Sequence, residues 1–429
     1  MAVCMVKCLI CGAVFEKDAK TCPVCGVGPE NFIPVEREET TFSSNARERF
    51  LVLGTGTAAL SAATAIRERN ALCDIVMISN ERALPYNRPM LTKNLLRRKG
   101  REDFAIHGAS WYRERGIRLI TDEIVSSLDT TAKQVGLSDD TIMEYDKCIY
   151  ALGARCFIPP IPGARLPEAV SIRSIDDAER IAKLLPGVKE AVVIGGGVLG
   201  LEAAWEISQA GVAVTVLEAG ERLMPRQLDE GASAMLLNIA GERGLRVVLN
   251  AKIQGILGED HVEGVALEDG ERLAAQMVVI STGVRPNTKI AADAGLAVGR
   301  AVVVNAYMET SAKDVYACGD CAEFEGVNYA LWPEATRMGE VAGANAAGER
   351  MAYKNPTPGL TLNALGTTLF AIGDVGSRPE RDYQVVVSQD PEAMTRRADY
   401  YIGQKRVGGV RIGDLSDMEA LTRDVAGKA

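Results

Sequence analysis

Four cysteines stand near the start of the chain in two C-x-x-C pairs, Cys8 and Cys11 in CLICG and Cys22 and Cys25 in CPVCG. Paired knuckles of this spacing suit a tetrahedral four-thiolate site for iron or zinc. Gly12 and Gly26 follow the second cysteine of each pair. A glycine there removes the Cβ that would crowd backbone N–H groups donating to the sulfurs. Two glycine turns further along carry a different chemistry. Gly54, Gly56 and Ala59 are spaced as G-x-G-x-x-A, and Gly195, Gly197 and Gly200 as G-x-G-x-x-G. In such a turn the first glycine bends the chain and the second lets a pyrophosphate approach the backbone. The small third residue lets helix and strand pack closely, and the helix start offers unpaired N–H groups. An acidic residue at the end of the next strand then binds ribose hydroxyls. Glu81 fits the first unit, with Asn80 as its rival, and Glu218 fits the second. A carboxylate at 218 accepts from a free 2′-hydroxyl and repels a 2′-phosphate, which favours NADH over NADPH. Arg222 and Arg226 lie close behind and could soften that preference.

Elements that would position these groups are legible around them. FLVLGTGTAALSAATAIRERN (50–70) and EAVVIGGGVLGLEAAWEISQAG (190–211) share one plan: apolar strand, glycine turn, helix-formers. Each leads to a second apolar strand, CDIVMI (73–78) and VAVTVLE (212–218). Two βαβ units in one chain predict an α/β fold with two Rossmann-like nucleotide-binding domains. Later strands end in related turns, YALGARCFIPP (150–160) and ISTGVRPN (280–287). The expected organisation is a cysteine-rich unit over 1–34, a polar linker over 35–49 and one nucleotide-binding domain over 50–160 and 276–349. A second nucleotide-binding domain would cover 161–275, and a C-terminal α+β interface domain 350–429, with a homodimer as one arrangement. Residues 1–34 are too few to bury a core, so a metal would have to stabilise them. The linker region, drawn out fully, spans on the order of 50 Å.

The quoted segments resemble a known family. GTGTAA, PYNRPMLTK (85–93), GGGVLGLE, STGVRPN and DVYACGDCAEF (314–324) are similar to the FAD-dependent pyridine nucleotide-disulfide oxidoreductase superfamily. The closer likeness is to the branch of rubredoxin and ferredoxin reductases and the flavin domain of NADH-dependent nitrite reductases. The resemblance runs in order over about 49–350 and extends into the tail from LGTTLFAIGDVG to VGGVRIGD. It implies FAD at the first glycine turn and NADH, or NADPH, at the second. It implies that Asp320 holds the FAD ribityl chain, that Arg88 and Lys93 sit by the flavin and its phosphates, and that Glu202 lies near hydride transfer. Gly153 and Gly283 would mark the crossovers between the two domains. Leu152 departs from the threonine usual in this family. Disulfide reductases of the superfamily carry a redox C-x4-C where this chain reads RPMLTKNLL, without cysteine. The resemblance therefore implies a flavin that hands electrons directly to another acceptor. The first segment resembles the short rubredoxin-type domains of rubrerythrins through CxxCGxxF, CPVCG and GPENF, with Ala13 where an aromatic is usual.

Together these features predict a flavoenzyme passing electrons from NADH through FAD to a four-cysteine iron and on to a partner protein. A zinc ribbon that docks a separate rubredoxin or ferredoxin is the rival reading, and an NADH oxidase is another. The 429 residues are 47% hydrophobic and 24% charged with net charge −9, and no basic stretch suggests nucleic-acid binding. No apolar run approaches a membrane span, and the start does not read as a secretory signal. The cysteine usage suits a reducing, cytoplasmic setting. Cys318 and Cys321 mimic a redox pair but read better as small residues filling space around Asp320. His107 and His261, the only histidines, fall in no motif.

Overall fold

The computed structural model describes residues 5–8, 13–17, 19–22, 27–29, 32–35, 40–93, 100–354 and 357–427. Both glycine turns sit at the ends of central strands in five-stranded parallel sheets. The first sheet runs in the spatial order Val315–Ala317, Lys147–Tyr150, Arg49–Leu53, Asp74–Ile78, Ile117–Ile120. The second runs Ala169–Val170, Met277–Ile280, Glu190–Ile194, Ala213–Leu217, Arg246–Val248. Parallel strands are covered on both faces, which is why they are written as unbroken apolar runs. Phe50 to Leu53 and Ala191 to Ile194 are buried throughout. Each sheet is accompanied by a three-stranded antiparallel meander, Val125–Asp129 to Ile142–Glu144 in one case and Ile253–Leu257 to Arg272–Ala274 in the other.

The chain passes between the two sheets twice. Ala154–Cys156 and Val284–Pro286 carry those passages and pair antiparallel, with Arg155 opposite Arg285. Gly153 (φ 64°) and Gly283 (φ 98°) immediately precede these strands. The helix Trp332–Ala346 returns to the first sheet and lies along the helix Thr57–Arg69. Small residues bring the two together: a Cβ on Gly339 would meet the Ala58 carbonyl oxygen at 2.2 Å, and one on Gly343 the Ala62 oxygen at 2.3 Å. Thr57 and Thr336 share a hydroxyl–hydroxyl hydrogen bond of 2.7 Å at the start of this seam.

The C-terminal region is an antiparallel five-stranded sheet, in the order Gly359–Ala364, Thr367–Gly373, Lys405–Ile412, Thr395–Ile402, Gln384–Asp390. The helix Met418–Ala426 packs on it. Arg411 is fully buried beneath that helix, donating to Asp417 (2.8 and 2.7 Å) and Asp399 (2.8 Å). Near the other end of the chain, Met5–Cys8 pairs antiparallel with both Val14–Glu16 and Phe32–Val35. The polar stretch 40–49 lies along the body. Thr40 Oγ1 donates to Glu349 (3.3 Å), Ser44 N–H to the Arg69 carbonyl (2.7 Å), and Asn70 Nδ2 to the Ala46 carbonyl (2.8 Å). Glu349 in turn pairs with Arg69. No helix among the described residues is long and apolar enough to cross a membrane.

Candidate functional site

The two glycine turns repeat each other in atomic detail. Gly54 has φ 124° and Gly195 φ 113°, a region that L side chains avoid. A Cβ on Gly54 would stand 2.3 Å from the Ala151 carbonyl oxygen, and one on Gly195 2.2 Å from that of Ser281. Glycine is thus required twice over at each turn. Gly56 and Gly197 begin the two helices, Thr57–Arg69 and Val198–Ser208. Nothing lies within 4 Å of a Cβ built on either, so both faces are open to a ligand. Neither helix start has a side-chain cap or an acidic residue in its first turn. That leaves N–H groups and the positive end of the helix dipole for an anion. Ala59 is fully buried. A Cβ on Gly200 would meet the Gly195 carbonyl oxygen at 2.0 Å. The third position of each turn is therefore small because the helix lies against the strand.

A cavity of about 1130 Å³ extends from the first turn. Its lining includes Gly54, Gly56, Asn80, Glu81, Arg88, Lys93, Gly153, Arg173, Glu202, Gly283, Asp320 and Trp332. These residues come from both parallel-sheet domains and from the long helix that follows. Glu81 accepts from Arg88 Nη2 and from the Tyr86 hydroxyl, each at 2.6 Å. Burial pushes the Tyr86 hydroxyl far up, so it stays a donor. Asn80 lines the same wall. Asp320 pairs with Arg173 Nη2 at 2.5 Å. Arg88 also donates to the Arg173 carbonyl. Arg173 is thus central to the site, and nothing in its local sequence marks it.

Between these groups lies a buried ion pair. Glu202, 2% exposed, accepts from Lys93 and from Thr92 Oγ1 (2.6 Å). Glu202 stands one turn into the second glycine-turn helix, so it carries that unit's register into the first unit's cavity. The lining on this side is formed by Val198, Leu199, Glu202 and Ala203. Beyond it, at the second turn, the Glu218 carboxylate accepts from the Gly196 N–H (2.7 Å) and the Gly220 N–H (2.8 Å). Arg222 is drawn away from that carboxylate: it donates to the carbonyls of Leu228 and Pro225 (3.2 Å).

Cys318 lines the cavity but is fully buried, as is Cys321. Burial raises the Cys318 thiol well above its usual range and the Cys321 thiol to about 12. Both are neutral thiols at physiological pH, unlike a reactive pair. The two histidines stand apart from the cavity lining. His107 stacks on Trp111 (4.0 Å between centroids), and burial lowers its pKa. His261 is exposed, and its hydrogen bond to Glu168 (2.9 Å) raises its pKa.

Among the four knuckle cysteines, Cys8 and Cys22 are described and buried, while Cys11 and Cys25 lie outside the described residues. The Cys8 N–H donates to the Ala13 carbonyl and the Cys22 N–H to the Val27 carbonyl, both at 2.8 Å. Each of these bonds joins a cysteine to the residue five positions on. Cys8 and Cys22 share a buried apolar cluster with Val27, Phe370, Ile372, Met418 and Leu421. Trp332 packs against that cluster and also lines the large cavity.

The sequence profile of the pyridine nucleotide-disulphide oxidoreductase family matches residues 48–339. The chain belongs to that family. The match spans both glycine turns, the passages between domains and Asp320. Family membership makes the chain an oxidoreductase of the pyridine nucleotide-disulphide class, and FAD and NADH are the cofactors that class supports. The NADH-rubredoxin oxidoreductase of Clostridium acetobutylicum is 34% identical over 78% of this chain and 84% of its own length. The solved NADH:rubredoxin oxidoreductase from the same organism superposes with TM-score 0.76 at 31% identity, covering 89% of this chain and 95% of that one. The nitrite reductase [NAD(P)H] of Bacillus subtilis is 34% identical over 78% of this chain, which spans only 42% of that longer protein.

Proposed function

We propose that this oxidoreductase passes electrons from NADH through FAD to an iron held by Cys8, Cys11, Cys22 and Cys25, and from there to a partner protein. One observation carries the proposal. Trp332, in the cavity wall, packs against the same apolar cluster that buries Cys8 and Cys22. A thiolate metal beside the wall of a flavin cavity is suited to leading electrons out of it. The relation to NADH-rubredoxin oxidoreductase supports an acceptor of the rubredoxin type.

FAD, when bound, supplies the exchange between a two-electron hydride and single electrons. The chain's own residues bind and orient. Gly54, Gly56 and Ala59 form the turn whose helix start receives the FAD pyrophosphate. Glu81 takes the ribose hydroxyls and Asp320 the ribityl chain. Arg88 and Lys93 balance the charge of the phosphates and the flavin. Gly195, Gly197 and Gly200 receive the NADH pyrophosphate, and Glu218 accepts from its 2′-hydroxyl. Glu202, ion-paired to Lys93, would form part of the wall that the nicotinamide meets. The neutral thiols of Cys318 and Cys321 fill space.

The test is a metal analysis of the purified protein with an anaerobic spectrum before and after NADH. The proposal expects about one iron per chain, with a visible thiolate–iron band that NADH bleaches. Cys22→Ser should lose that band and keep NADH reduction of the flavin. Stoichiometric zinc and no such band would sink the reading.

A further inference from the structure

The cavity wall and the seat of the cysteine-bearing unit meet at Trp332. Phe370 and Ile372 of the strand Thr367–Gly373, with Met418 and Leu421 of the last helix, form the buried surface on which that unit rests. Ala13, Phe15 and Phe32 of the unit and Trp332 of the body pack against it. Phe15 and Phe32 meet edge to face at 4.9 Å, giving the unit a firm apolar underside. A second link runs through Gly359, which lines the cavity. A Cβ there would lie 2.3 Å from the Phe370 ring, so ring and cavity strand touch directly. Burial raises the Glu334 carboxyl, opposed by a hydrogen bond from the Tyr353 hydroxyl (2.7 Å) and by the charges of Arg337 and Lys7. The connecting stretch is fastened to the body at Thr40, Ser44 and Ala46.

We propose that the cysteine-bearing unit is a resident electron outlet, seated on its own chain's C-terminal domain. Electrons leave the cavity through the seated unit without a diffusive encounter. The proposal rests on the iron reading above. Its balance is one NADH oxidised to NAD⁺ and a proton, with two electrons delivered. Two ferric centres become ferrous, so a unit with one iron is loaded twice per NADH and must unload in between.

The test mixes full-length, iron-loaded protein with NADH in stopped flow and follows the iron band. Amide hydrogen exchange in Thr367–Gly373 and Met418–Ala426 is read alongside. The bleaching rate constant is expected to stay fixed as protein concentration rises about a hundredfold, because the transfer is intramolecular. Met418→Glu places a carboxylate in the seat at the first turn of the helix, where the helix dipole tolerates it. That variant should bleach about tenfold more slowly and exchange faster in both segments, while NADH-driven ferricyanide reduction through the flavin stays unchanged. Met418→Ala should move the same readouts the same way by less. A rate that climbs with protein concentration overturns the proposal. So does a variant whose exchange speeds while its bleaching rate holds. Wild-type protein with no NADH-bleachable band overturns the iron reading instead.

Discussion

Lys93 and Glu202 form an ion pair between the two nucleotide-binding units, 109 residues apart in sequence. Their side chains are 16% and 3% exposed. Glu202→Ala strands the lysine and the Thr92 hydroxyl in a nearly closed site. Losing one partner of a buried pair costs about 3 kcal/mol. Urea unfolding should show that loss. Glu202→Gln keeps the shape and should recover part of the stability, yet flavin reduction by NADH should remain slowed in stopped flow.

Gly54→Ala and Gly195→Ala should separate the two cofactors. Each forces a side chain against a carbonyl oxygen at a positive φ. Backbone strain of this kind costs on the order of 1–3 kcal/mol. The first variant should purify with depleted flavin, read from its visible absorbance. The second should keep its flavin and show a raised KM for NADH. Equal flavin content and equal KM in both would refute the assignment of the turns.

The choice of nicotinamide is tested at Glu218. Glu218→Ala should lower kcat/KM for NADH about tenfold, the equivalent of 1.4 kcal/mol. It should raise NADPH use only modestly, because Arg222 is committed to the carbonyls of Leu228 and Pro225. The ratio of the two kcat/KM values measures both effects.

Acid should loosen the C-terminal domain. Hydrogen bonds from Arg411 hold the Asp417 carboxyl below its ordinary range. A depressed carboxylate contributes stability that is fully present above its unfolded pKa of about 3.9 and is lost as pH falls through the lower folded value. Melting temperature should be insensitive to this group from pH 7 to about 5 and fall below about 4. Arg411→Met should melt early at every pH, because it leaves Asp399 and Asp417 without their buried partner.

Alkylation tests the inner cysteines. With both thiols raised by burial, Cys318 and Cys321 should resist iodoacetamide at pH 7.5 in the folded protein. Cys321→Ala should retain NADH-driven flavin turnover. Rapid labelling with loss of turnover would make them a working pair.

The chemistry legible in the sequence is that which depends on local backbone geometry. Gly54 and Gly195 stand out because only glycine fits a positive φ beneath a carbonyl, and that requirement is met within a few residues. Glu218 follows by counting along one strand. Arg173 is invisible to such counting, since its partner Asp320 lies 147 residues away and SIRSIDD has no distinguishing pattern. Trp332 is hidden for the same reason: its two roles come from surfaces that meet only in the folded chain. The stretch 40–49, polar enough to read as a free tether, is held by Glu349, Arg69 and Asn70, all distant in sequence. The cysteine spacing suits a four-thiolate site, and iron and zinc fit that spacing alike.

The seam between the helices Thr57–Arg69 and Trp332–Ala346 has one more consequence. Gly339 and Gly343 let the second helix rest on the main chain of the first at Ala58 and Ala62. The first helix begins at the phosphate turn and the second begins at Trp332. The glycine turn and the Trp332 wall of the cavity are therefore set by one backbone-to-backbone helix contact, and a substitution that spreads Gly339 from Ala58 would displace both together.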